Sequence, residues 1–61
     1  MMETMNAVLN HIDELAILLN SLNRAIARED FETAHAISRK IATEASKLSE
    51  LFYLESLKEA D

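Results

Sequence analysis

Residues 5–26 read MNAVLNHIDELAILLNSLNRAI. Within this stretch Met5, Val8, Ile12, Leu15, Leu19, Leu22 and Ile26 recur at intervals of 3, 4, 3, 4, 3 and 4. A stripe of that spacing over three heptads predicts an amphipathic helix with a seam for a partner helix. Asn6, Asn10, Asp13, Glu14, Asn20, Ser21 and Arg24 fill the positions between. Downstream, Ala34, Ile37, Ile41, Ala45, Leu48, Leu51 and Phe52 share one face at a period near 3.6. Glu32, Arg39, Lys40, Thr43, Lys47 and Glu50 stand opposite them. Glu44 precedes Lys47 by three residues, as Glu55 precedes Lys58, and both pairs support a helix.

The first stripe stops at Ile26, and the second begins in a different phase. Asp30 is a good N-cap, and Glu32 suits the positive end of a helix dipole. The break therefore falls around Arg28, Glu29 and Asp30, although no Gly marks it as Gly commonly does at a helix C-terminus. The alternative is one unbroken helix of about 90 Å, from about 1.5 Å of rise per residue. A break at the chain midpoint gives two matched arms, which favours a hairpin. The expected fold is all-α, a single antiparallel hairpin over residues 1–61. Its first helix spans about 3–28, its turn about 28–30 and its second helix about 31–58.

Composition narrows the possibilities. The 61 residues include no Gly, Pro, Cys or Trp and carry a net charge of −5. Without Cys there is no disulfide framework, thiolate metal site or thiol nucleophile. Without Gly there is no glycine-rich phosphate loop. A sandwich or barrel of strands needs turns rich in Gly and Pro. The longest apolar run, Leu15 to Leu19, is far below the roughly 20 residues of a membrane span. Met1, Met2, Glu3 and Thr4 do not form the basic start of a signal peptide. These features predict a cytoplasmic protein without membrane contact. A chain of about 60 residues buries only about 60% of its unfolded surface, so self-association is the expected remedy. The hairpin is expected to dimerise into a four-helix bundle. Core and dimer positions are assigned to Val8, Ile12, Leu15, Leu18, Leu19, Leu22, Ile26, Phe31, Ile37, Ile41, Leu48, Leu51 and Phe52.

Some apolar residues exceed the needs of one hairpin. Ile17 lies opposite the first stripe and Leu18 to its side, which makes the segment Leu15–Leu19 apolar all round. Tyr53, Leu54 and Leu57 point away from the second stripe, at the end where Met1, Met2 and Met5 begin the first helix. Met and aromatic side chains make adaptable, anchoring contact surfaces. Met1, Met5, Ile17, Tyr53, Leu54 and Leu57 are therefore candidates for binding another protein.

Catalytic or cofactor chemistry has little to use. Glu32 and His35 have the Glu-x-x-His spacing of di-iron bundles. The facing part of the first helix offers Asn23, Ala27 and Arg28 but no carboxylate. His11 and Glu14 supply only two ligands, too few for a tight metal site. His11 is expected at an interface edge, where it would respond to mild acid. No Ser, His and Asp grouping is evident, so neither an enzyme nor a cofactor is expected. Nucleic acid is disfavoured because phosphate contacts need several cations along one face. The first helix carries only Arg24 and Arg28, both beside the turn.

Two resemblances bear on function. Leu22, Ala25, Glu29, Asp30, Phe31, Glu32, Ala34, Ile37 and Ile41 fit the UVR motif, over residues 22–41. In nucleotide-excision-repair proteins and some protease adaptors that motif is a short helical hairpin. Ser38-Arg39 stands where the family has Arg-Asp. The resemblance implies hairpin-to-hairpin protein binding. The overall architecture is similar to the dimeric Rop-like hairpins, a resemblance that implies RNA binding through the paired first helices and would place Arg24, Arg28 and Arg39 at the contact. The expected function is that of a small non-enzymatic regulator or adaptor, binding proteins as a homodimer. A Rop-like RNA binder and a metal-binding bundle are the alternatives.

Overall fold

The computed structural model describes residues 2–59, with side-chain surroundings from Thr4 to Lys58. Two helices, α1 (Met2–Ala27) and α2 (Phe31–Glu59), pack against each other as an antiparallel hairpin. No strand occurs among the described residues.

The turn is built from hydrogen bonds in place of glycine. Glu29 takes the left-handed conformation with φ 56°. Its N–H donates to the Ile26 carbonyl at 2.9 Å, and the Asp30 N–H donates to the Ala25 carbonyl at 2.9 Å. This pair of bonds is a Schellman motif, which satisfies the last carbonyls of α1. A Cβ in that conformation costs roughly 1–2 kcal/mol, so the two bonds offset a strain that glycine would avoid. Asp30 then caps α2: the Thr33 N–H donates to its Oδ1 at 3.2 Å. Hydrogen bonding from the Thr33 side chain and backbone holds the Asp30 carboxyl below its ordinary range, with a smaller contribution from Arg28.

The seam between the helices corrects the expected stripe. In α1 it runs through Thr4, Val8, His11, Leu15, Leu18, Leu22 and Ala25, all buried or half-buried. Only Val8, Leu15 and Leu22 belong to the stripe read from the spacing. Met5, Ile12, Leu19 and Ile26 turn outward and are 45–58% exposed. Leu18, expected to the side, lies in the seam. In α2 the seam runs through Ala34, Ile37, Ile41, Glu44, Leu48, Leu51 and Glu55. Glu44 takes the place expected for Ala45, and Phe52 is exposed. Phe31, assigned to the core and dimer positions, is 68% exposed in the single hairpin.

The turn explains the change of phase. With three residues between the helices, their axes must lie close beside it. Ala25, fully buried, and Ala34, half-buried, permit that approach. Ile26 and Phe31 would hold the helices apart there, so they rotate out.

The resulting core is thin. Among the described residues Val8, Ala25 and Leu48 are its buried apolar members, and no large side chain is completely enclosed. The hairpin measures 49 × 16 × 11 Å, a slab one helix thick. Its radius of gyration is 14.5 Å, against about 10.5 Å for a compact chain of this length.

Candidate protein-interaction site

A slab of two helices has two broad faces, and the heptad positions beside the seam assign residues to each. One face receives Met5, Leu9, Ile12, Ala16, Leu19, Asn23 and Ile26 from α1. From α2 it receives Phe31, His35, Ser38, Ala42, Ala45, Ser49, Phe52 and Ser56. All of these are exposed, and none is Asp, Glu, Lys or Arg. The two helices divide the bulk unequally. Large aliphatic side chains line the α1 side, whereas α2 presents small residues in its middle and a Phe towards each end. Contiguous exposed apolar surface of this kind marks an interaction site.

The opposite face is built differently. It carries Glu14 and Arg24 from α1, Arg28 from the turn, and Lys40, Thr43, Lys47 and Glu50 from α2. A shallow groove of about 290 Å³ opens here, lined by Glu14, Leu18, Lys40, Thr43 and Glu44. At its edge lies a polar bridge across the seam. The His11 Nδ1–H donates to Glu44 Oε2 at 2.6 Å, and the Lys47 ammonium donates to Glu44 Oε1 at 3.3 Å. With Glu44 ionised its carboxylate can only accept, so Nδ1 carries the proton. The His11 hydrogen bond, reinforced by Lys47, lowers the Glu44 carboxyl from its ordinary range against a smaller opposing effect of burial. Further along, Lys58 donates to Glu55 Oε1 at 3.1 Å. That bond, helped by the Thr4 hydroxyl across the seam, holds Glu55 low as well.

The structure separates residues that the sequence suggested together. Met5 lies on the charge-free face near Phe52. Leu54 and Leu57 lie on the opposite face, and Tyr53 points away from the seam. Ile17 is exposed beside the groove, about 20 Å along the helices from Leu54 at about 1.5 Å per residue. Met1 lies outside the described residues. His11, expected at an interface edge, lies in the seam between the two helices and bridges them through Glu44.

Leu9 and the small-residue row at 38, 42, 45 and 49 were missed as parts of the site. Their signal was present in the sequence as a missing charge. Between residues 31 and 56, each seventh position from 31 and from 35 is free of Asp, Glu, Lys and Arg. Glu32 and His35 are both exposed in the first turn of α2. Among the described residues no three His, Asp or Glu side chains are grouped to hold a metal ion. No described helix is long and apolar enough to cross a membrane.

No protein-family model, curated protein or solved structure matches this chain.

Proposed function

We propose that the chain is a small cytoplasmic regulatory or adaptor protein that acts by binding proteins and performs no chemistry of its own. Two copies pack their charge-free faces together into a four-helix bundle, and the homodimer presents its remaining apolar side chains to a second protein. One observation carries this proposal. A hairpin with a thin core exposes Met5, Leu9, Ile12, Leu19, Ile26, Phe31 and Phe52 on a face without charge. Burying large aliphatic and aromatic side chains contributes roughly 1.5–3 kcal/mol each, the scale of stability that a chain this small lacks alone. The likeness of residues 22–41 to the UVR hairpin agrees with binding between helical hairpins.

Once that face is covered, Ile17, Tyr53, Leu54 and Leu57 remain on the outside. The last three form the candidate surface for the second protein. The test is tagged co-purification from host lysate, with and without nuclease, using the natural chain and the double variant Tyr53→Ala, Leu57→Ser. A stoichiometric protein that survives nuclease and is lost with the variant supports the adaptor role. Retention by a variant that stays helical and dimeric removes that surface. Recovery of RNA alone would replace the adaptor with the Rop-like alternative and place Arg24, Arg28 and Arg39 at its contact.

A further inference from the structure

A flat face can meet its own copy about a two-fold axis in two ways. An axis along the helices puts both turns at one end and lays α1 on the partner's α2. An axis across the helices puts the turns at opposite ends and lays each helix on its own copy, antiparallel. We propose that the two copies pair about an axis across the helices, passing near Ala16 and Ala42, so that the turns lie at opposite ends. This rests on the face-to-face dimer proposed above and specifies how that dimer is assembled.

The first support is the size pattern on the face. In α2, Phe31 and Phe52 stand at equal distances from the middle, with Ser38 and Ala45 inside them and Ala42 at the centre. In α1, Met5 mirrors Ile26 and Ile12 mirrors Leu19 about a point between Leu15 and Ala16. A mirrored order matters only where a helix meets its own copy running the other way. There it brings Phe31 onto the partner copy of Phe52 and seats alanines where the helices approach most closely.

The second support is positional. Ala16 lies eleven residues before the end of α1 at Ala27, and Ala42 lies eleven residues after the start of α2 at Phe31. The mirror points, each just before its alanine, are therefore level to within about one residue's rise, and one straight axis serves both helices.

The third support is charge. The turn half, residues 16–43, holds four cations and three anions, a net of +1. The open half, residues 4–15 and 44–58, holds Lys47 and Lys58 against five carboxylates, a net of −3. Turns at one end would set two acidic ends side by side. Turns at opposite ends set each acidic end beside the partner's arginines, and complementary charge of this kind selects orientation.

The chain has no cysteine, so single substitutions give unique labels. A spin label on Arg28→Cys lies twelve residues from Ala16, about 18 Å from the axis at about 1.5 Å per residue. Pulsed dipolar spectroscopy on the dimer should therefore give a distance near 36 Å, from roughly twice that offset. Turns at one end would bring the labels within roughly 20 Å, since packed helices lie about 8–10 Å apart. In parallel, Ala42→Cys should form a disulfide-linked dimer on mild oxidation, whereas Lys40→Cys, on the opposite face, should not. A short spin–spin distance in a dimer of correct mass overturns the orientation alone. A monomer by sedimentation at labelling concentration removes the dimer beneath it, and the orientation with it.

Discussion

The two broad faces of the hairpin are formed by the same two helices and are equally open to water, yet they are composed in opposite ways. One gathers leucine, isoleucine, methionine and phenylalanine and excludes every full charge. The other carries arginines, lysines and glutamates around a shallow groove and is bridged at its edge by His11 and Glu44. A helix with a single apolar stripe needs one partner. Here α1 has two adjacent stripes, one spent on α2 and one left over. The surplus stripe is continued across the seam by a matching row on α2. Such continuity between helices sets the charge-free face apart from scattered apolar residues, which are ordinary on any protein.

The difference is most directly broken by moving a charge. Ile12→Lys places an ammonium in the middle of the charge-free face, where the proposed dimer would bury it without a partner. A buried, unpaired charge costs about 3–5 kcal/mol, so the dimer dissociation constant should rise by at least about 100-fold. Thr43→Lys adds the same charge to the opposite face and should leave sedimentation unchanged. Equal effects from the two variants would erase the distinction between the faces.

A smaller effect separates two aromatic side chains that are similarly open in a single hairpin. Phe31 is 68% and Tyr53 62% exposed. Phe31→Ser should weaken self-association by about 1–2 kcal/mol, somewhat less than the full burial of a phenylalanine. Tyr53→Ser should leave it unchanged, because Tyr53 points away from the seam and off that face. Sedimentation equilibrium of the two variants measures both values. A loss with Tyr53→Ser would shift the contact toward the open end.

The smallest effect concerns the polar bridge. The Glu44 carboxyl is held below its ordinary range by His11 and Lys47, so it binds protons less readily folded than unfolded. A group of that kind adds stability above its unfolded pKa, and the gain is lost as the pH falls through the folded value. Thermal unfolding followed by circular dichroism should therefore show the natural chain losing more stability than Glu44→Gln between pH 7 and roughly pH 3, across the carboxylate range. Identical pH dependence would mean that the bridge adds nothing to the hold between the helices.

The helices and the break between them were legible because they rest on local rules. Apolar spacing, the capping preference of Asp30 and the arrest of the stripe at Ile26 are properties of short segments. The seam was not legible at the same level. Met5, Ile12, Leu19 and Ile26 satisfy a heptad as well as His11, Leu18 and Ala25 do. In fact they look better, because the true seam contains a threonine, a histidine, two glutamates and two small residues near the turn. Scoring positions by hydrophobicity favours the bulkier stripe, and bulk is what the close end of the hairpin cannot accept. His11 was misplaced for the same reason: its partner, Glu44, is 33 residues away and enters only when the helices are docked.

By itself, the sequence determined two long helices, a turn without glycine at the midpoint, more apolar side chains than one hairpin can enclose, and the charge-free row on α2. These follow from periodicity, capping and composition. The tertiary structure decided which of two neighbouring stripes on α1 faces α2. A three-residue connection closed by the Asp30-to-Ala25 bond draws the helix axes together at the turn, and only alanines at 25 and 34 fit between them. That choice fixes the rotation of both helices and turns the bulkier stripe outward, where it becomes the site.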